Sequence, residues 1–332
     1  MLAQVALGLS PPIPPGAAIH DAARVISQVA DAGVDHLVVG DHVTFFGGFG
    51  VDGLLQATAL LMLHPRLPVH TSVYLLPLRH PVLVARQLST LSSLAPGRLV
   101  LGAGIGGEDR HEVESCGVDP RTRGRRMDEC VTVLRLLQED GVVTWAGEFF
   151  DLDQVTVRPT PRPAVPILIG GRSDAAIRRA GRMGDGWLGI WVSPARFAAT
   201  LSRIDEHARE AGRGHVEWRH GMTVWCGFGD DEADAAGAVG PVMEAIYGLA
   251  FDKFRRYVPL GAPEQVADAL RPYVKAGCRS FNLLAQGADP QRVIDSAGEV
   301  RRLLVDEAPN SAGDAESRPP PAGMVRQHRG HV

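Results

Sequence analysis

Lysine is almost missing from this chain: of 34 basic residues only Lys253 and Lys275 are lysine, and the rest are arginine. Cysteine is sparse as well. The four cysteines, Cys116, Cys130, Cys226 and Cys278, stand far apart with no C-x-x-C pair, so neither a structural zinc site nor a disulfide framework is indicated. Net charge is -4, and no basic stretch is interleaved with aromatics, which argues against a nucleic-acid partner. No apolar run approaches the ~18 residues that a membrane span requires. The opening MLAQVALGLSPPIPPG lacks a charged leader region and is broken by prolines, which speaks against a signal peptide. These absences leave the expectation of a cytoplasmic, metal-independent globular protein that meets a small molecule rather than a membrane or a nucleic acid.

What is present has a clear rhythm. Short apolar runs at 5–9, 36–39, 69–75, 99–103, 166–169, 186–190, 221–226 and 280–284 alternate with amphipathic stretches at 17–32, 53–62, 81–94, 122–137, 173–183, 194–211, 263–276 and 290–305. Apolar runs that alternate with helical patterns are the sign of βα units around a parallel sheet. Several helical stretches open with proline and close just before glycine, as helix ends favour. Eight such units over 332 residues predict a single α/β domain at 1–308, a (β/α)8 TIM barrel. Two segments interrupt the alternation. Residues 141–165 read as a β-hairpin followed by a proline-rich run, inserted after helix 4. Residues 229–261, with a helical middle, follow strand 7, where long βα loops build active sites. The tail 309–332 has no apolar periodicity and reads as disordered.

The glycine cluster LGAGIGGEDRHE at 101–112 invites a phosphate-cradle reading, which its spacing does not sustain. A dinucleotide turn needs G-x-G-x-x-G running straight into a helix, with an acidic residue about 20 positions on. Here Glu108 and Asp109 follow the glycines at once, and a long loop is expected to delay the next helix to about Thr122. A general NAD-dependent Rossmann enzyme is weakened accordingly.

The stretches VVGDHVTFFGG at 38–48, TSVYLLPLRHPVLVARQLSTLSSLAPGRLVLGAGIGGE at 71–108, RGRRMDECVTVLRLL at 123–137 and VPILIGGRSDAAIRRAGRMGDGWL at 165–188 resemble the luciferase-like flavin- and deazaflavin-dependent oxidoreductases. The resemblance covers most of residues 1–190, and beyond that it is one of general layout. It implies a (β/α)8 barrel, and as cofactor either coenzyme F420, which only moves hydride, or FMN, which in reduced form activates O2. The Asp41-His42 pair, the TSV segment, the RHP helix start and the arginine-rich composition favour F420.

Site residues follow from that resemblance and from position. Asp41 and His42 fall at the end of strand 2, on the rim where barrels place catalytic groups. His42 is the side chain there that titrates near neutrality unaided, so it is the expected proton donor or acceptor. Glu108 is the second catalytic candidate. In the glucose-6-phosphate-oxidising relatives a glutamate beside such glycines acts as acid or cofactor contact, and here an extra glycine displaces it by one place. The resemblance implies a non-prolyl cis peptide at Ser72–Val73, with Thr71, Ser72 and Val73 pressed behind the cofactor ring and Asp41 beside it. Gly104, Ile105, Gly106 and Gly107 would let the flat ring lie against bare backbone. Gly170, Gly171, Arg172, Ser173 and Ala175 run from strand 5 into a helix N-terminus that suits a phosphate. A plain βα turn capped by Ser173 would use the same residues. Phe45 or Phe46 is expected to wall the pocket, and no metal ligand set is expected.

Arg123, Arg125, Arg126 and Asp128 read as a solvated helix face, and the apolar stripe of helix 81–94 as core or dimer surface. The implied partners are a small-molecule substrate, a second copy in a homodimer, and a flavin or F420 reductase that supplies reduced cofactor. Lysine scarcity argues against a sugar phosphate, whose phosphate such enzymes hold with lysines. An FMN-dependent monooxygenase and a non-catalytic flavin-binding protein remain the alternatives.

Overall fold

The computed structural model describes residues 5–14, 16–107 and 109–306, so the expectations for Glu108 and for the tail 309–332 lie outside the described residues. Eight parallel strands, Ala6–Leu9, His36–Val39, Val69–Thr71, Leu99–Gly104, Ile167–Gly170, Gly186–Gly189, Gly221–Phe228 and Ser280–Gln286, form the barrel wall. Closure is visible in the register. Leu101 pairs with Ile167 on one side of the ring and Ala6 pairs with Ser280 on the other, which leaves no free sheet edge.

The strands were legible because they are predominantly apolar or small and several are buried along their whole length, as in His36–Val39 and Leu99–Gly104. Helices lie between the strands, and their ends follow local chemistry. Asp52, Ser173 and Ser193 cap theirs with side-chain oxygens, and Pro81, Pro194 and Pro263 occupy first turns where no N–H partner is lost. The helix Ile19–Asp31 is followed by Gly33 at φ +84°, and Pro263–Lys275 by Gly277 at φ +102°, the left-handed turn that sends the chain into the next strand. Leu7, Leu9, Ile26, Leu37, Trp187 and Phe281 are among the fully buried side chains, each worth about 1.5–3 kcal/mol of transfer free energy.

Three departures from the expected layout all fall at the C-terminal mouth. The run 69–75 is broken into Val69–Thr71 and Tyr74–Leu75, because the Ser72–Val73 peptide between them is cis, at the position the resemblance implied. A hairpin, His42–Phe45 with Phe49–Val51, follows the second strand. The loop after the fourth strand does not run uninterrupted to Thr122: it carries a short helix, Arg110–Ser115, capped by Asp109. The insertion after the seventh strand forms the helix Glu232–Tyr247 and packs its own apolar cluster, including Trp225, Val239, Met243, Phe251 and Phe254. No helix among the described residues is long and apolar enough to cross a membrane, and no group of three or more potential metal ligands occurs among them.

Candidate active site

The mouth of the barrel holds a cavity enclosing about 930 Å3 out to its open entrance. Its lining draws on both sides of the ring: Asp41, His42 and Phe45 on one, Trp191, Ile246 and Tyr247 on the other, with Ser72, Val73, Gly104, Ile105 and Gly106 between.

The hairpin side is held by buried carboxylates. Asp41 is 2% exposed, and its oxygens accept from the Gly53 N–H at 2.9 Å, the Leu75 N–H at 2.7 Å and both terminal nitrogens of Arg79 at 2.7 and 2.8 Å. Arg79 also reaches Asp52, the cap of the helix Gly53–Leu63, at 3.2 Å. A carboxylate committed to this fork has little left to offer a cofactor. Asp41, expected as a cofactor contact, borders the cavity while anchoring the base of the hairpin.

Glu112 is the residue that sequence reasoning missed. Its carboxylate, with the side chain only 2% exposed, accepts from Nδ1 of His42 at 3.1 Å, from the Val43 N–H at 2.6 Å and from the Thr44 N–H at 3.2 Å. Asp109 accepts from the Phe46 N–H at 2.8 Å and from the His111 N–H at 2.9 Å. Because an ionised carboxylate can only accept, the proton on His42 resides at Nδ1, and Nε2 becomes the basic atom. The His42 ring stacks on Phe45 at 4.0 Å, which fixes its plane. A signal for Glu112 does exist in the sequence: Asp109 followed three residues later by a glutamate is the spacing of a capping box, and it announces the short helix that carries this side chain.

The expected residues divide as follows. His42, Asp41, Ser72, Val73, Gly104, Ile105, Gly106, Gly170 and Gly171 all border the cavity. Thr71, Gly107, Arg172, Ser173 and Ala175 are not among its lining residues. Thr71 is buried and donates to the Gly102 carbonyl at 2.8 Å, a link between neighbouring strands. Ser173 accepts from the Ala176 N–H at 3.2 Å as the helix cap, the plainer of the two roles open to it, and Arg172 reaches the Trp191 carbonyl at 3.4 Å. Phe45 walls the cavity, whereas Phe46 is 41% exposed outside it.

Two of the expected cofactor-contact glycines, Gly104 at the end of the fourth strand and Gly170 at the end of the fifth, also make room for a neighbouring side chain. A Cβ on Gly104 would lie 2.3 Å from Val73 Cγ2, and one on Gly170 would lie 2.9 Å from Val73 Cγ1. These glycines make room for the Val73 side chain, so a flat ligand would meet Val73 as well as bare backbone. Bare backbone does face the cavity elsewhere: a Cβ on Gly40, another lining residue, would meet nothing within 4 Å. A platform of Val73, Ile105 and glycine backbone, closed by Phe45 and Leu188, fits a flat, largely apolar ring system.

The opposite wall comes from Trp191 and from the 229–261 insertion, which was expected at the mouth, although its individual residues were not anticipated. The Trp191 ring lies 5.2 Å from Tyr247 and 5.1 Å from Phe254, and Trp225 Nε1 donates to the Tyr247 hydroxyl at 3.1 Å. Thr223, on the seventh strand, shares a 2.6 Å hydrogen bond with Ser72 across the cavity floor.

Comparison with known proteins bears on the family and the fold. The family described as luciferase-like monooxygenase matches residues 3–257. An uncharacterised protein of Mycobacterium tuberculosis is 34% identical over 179 residues, 52% of this chain and 62% of that protein's own length. An F420-dependent glucose-6-phosphate dehydrogenase of Nakamurella multipartita is 29% identical over 295 residues, covering 80% of this chain and 87% of that one. Among solved structures, an F420-dependent secondary alcohol dehydrogenase in complex with an F420-acetone adduct superposes with a TM-score of 0.79 at 22% identity, over 91% of this chain and 99% of that one. The FMN-bound oxygenating constituent of 3,6-diketocamphane monooxygenase from Pseudomonas putida gives a TM-score of 0.73 at 16% identity, over 92% and 98%. With a closed eight-stranded barrel and a family match over most of its length, the chain belongs to the luciferase-like monooxygenase family.

Proposed function

We propose that this protein is an F420-dependent oxidoreductase that moves hydride between the deazaflavin and a small organic substrate at the barrel mouth. The observation that carries the reading is His42, held through Nδ1 by the buried Glu112 and bordering a cavity with a flat apolar platform. The F420-dependent relatives support the choice of cofactor.

Val73, Ile105 and the glycine backbone would hold the ring, and the N-terminus of the helix Asp174–Met183, behind Gly170 and Gly171, would favour its phosphate. A bound deazaflavin supplies the hydride acceptor or donor. His42 then manages the accompanying proton: Nε2 takes it from a substrate hydroxyl as hydride leaves the carbon, or returns it in the reverse direction. Glu112 fixes the imidazole orientation and stabilises the cation that forms, the role of the third member of a catalytic triad. Phe45 and the aromatic wall exclude water from the transfer.

The same reading includes one barrel unit over 1–308, a cytoplasmic setting, a reductase that supplies reduced cofactor, and a homodimer. Exposed Leu55 and Met62 on the helix Gly53–Leu63, with Leu83 and Leu94 on Pro81–Leu94, support pairing through that face. The test is turnover with reduced F420 under argon against reduced FMN with O2, using wild type and His42→Ala. F420-linked turnover lost in the variant, with F420 affinity retained, supports the reading. Turnover with FMN and O2 alone overturns it in favour of a monooxygenase, and turnover unchanged by His42→Ala removes His42 from the chemistry.

A further inference from the structure

Trp191 combines two irregularities at one position. It adopts φ +50°, a left-handed backbone conformation that bulky residues avoid, and its indole Nε1 is buried with no hydrogen-bond partner among the described residues. Backbone outliers at a ligand cavity, like buried donors without acceptors, call for an explanation in function. Trp191 lines the cavity opposite His42, and Tyr247 and Phe254 pack against its ring and hold it in place.

The charge of the lining narrows what could satisfy that donor. Among the described residues, no lysine or arginine lines the cavity. Asp41 is closed by Arg79, and His42 is engaged by Glu112. Arg172 stands 5.6 Å from the Trp191 ring, but it is exposed and directs a hydrogen bond to the Trp191 carbonyl. Lys253 and Lys275 are exposed outside the lining. Among the described residues an anionic ligand would find no lysine or arginine in the lining to neutralise it, whereas a neutral apolar one would meet Phe45, Leu188, Ile190 and Ile246.

We infer that Trp191 is a specificity-determining residue whose indole N–H donates to a carbonyl or hydroxyl oxygen of an uncharged, largely apolar substrate. This deepens the proposed oxidoreductase reading and rests on it. The backbone irregularity is thereby accounted for: a left-handed turn at the end of the sixth strand brings the indole into the wall instead of letting the chain pass directly into the helix Pro194–Glu210.

The experiment measures binding of cyclohexanone and of methylenecyclohexane, the same shape without the acceptor oxygen, to the F420-loaded protein. Trp191→Phe keeps an aromatic ring and removes the donor. It is expected to weaken cyclohexanone about tenfold while changing methylenecyclohexane and F420 less than twofold. A readout on unaltered protein accompanies it: the indole N–H Raman band should shift on addition of cyclohexanone and not of methylenecyclohexane. Equal weakening of both probes, unchanged cyclohexanone binding, no cyclohexanone binding to wild type, no Raman shift, or tighter binding of glucose 6-phosphate than of cyclohexanone overturns the inference. F420 failing to bind wild type refutes the underlying reading instead, and the cofactor titration separates the two failures.

Discussion

The two sides of the cavity are built by opposite means. On the hairpin side, buried carboxylates grip backbone N–H groups and basic side chains: Asp41 takes Arg79, Gly53 and Leu75, while Glu112 takes His42, Val43 and Thr44. On the insertion side, Trp191, Trp225, Tyr247 and Phe254 pack in an apolar cluster that includes the hydrogen bond from Trp225 to Tyr247. Hydrogen-bond networks fix direction, as a proton-transferring imidazole requires. Aromatic packing fixes shape and polarity, as substrate selection requires. On the proposed reading, one side carries the chemistry and the other the choice of substrate.

The comparison breaks first at His42. Removing its imidazole by His42→Ala is expected to lower turnover about 100-fold or more while leaving F420 affinity unchanged, measured by F420 absorbance under anaerobic conditions. Next comes the anchor beneath it. Arg79→Met leaves the fully buried Asp41 carboxylate without its cation and should destabilise the fold by about 3 kcal/mol in urea denaturation. Glu112→Gln keeps the shape and removes the charge. Its expected signature is a kcat about tenfold lower with KM nearly unchanged, because the substrate does not touch Glu112. Phe254→Ala tests the other side in the converse way: it should raise KM and cost stability, while the pH dependence of turnover keeps its wild-type shape.

A fifth prediction concerns the histidines outside the catalytic rim. Burial pushes His36 down to about 4, although Asn282 hydrogen-bonds it at 2.8 Å, and burial likewise lowers His220 to about 4. His70, stacked on His36 at 3.7 Å, is lowered by burial and then by its neighbour. For His36 and His220 the unfolded chain binds a proton below pH 6.5 that the folded protein refuses until about pH 4, and His70 acts in the same direction. Stability is therefore full above pH 6.5 and falls as the pH drops through that window, by up to about 3 kcal/mol for each of His36 and His220. Denaturation at pH 7 and pH 4.5 checks the sign, and His36→Gln should flatten the slope.

The barrel was legible in the sequence because its strands are short, mostly apolar and alternate with helices whose caps leave clear marks, such as Asp52, Ser173 and Ser193. His42 was legible for the same reason, since it sits where a counted strand ends. Glu112 was not, because it acts through a contact 70 residues away in the chain, made by a helix of six residues that periodicity cannot resolve. The meeting of Trp191 with Tyr247 and Phe254 was hidden likewise: the 229–261 insertion was read as lying over the mouth, but only the closed barrel brings it against the loop after the sixth strand. Gly104 was read as a place where a flat ring meets bare backbone; that a Cβ there would also strike Val73 depends on a neighbour that local sequence does not specify. Elements defined by their own residues were readable. Contacts defined by closure of the ring were not.

The central claim is that this cavity holds a deazaflavin against Val73 with His42 as the proton carrier. Side-by-side fluorescence-quench titration of the protein with F420 and FMN tests it most directly. The account predicts that F420 binds at least tenfold tighter, a difference of about 1.4 kcal/mol. Micromolar binding of FMN with no response to F420 would contradict it.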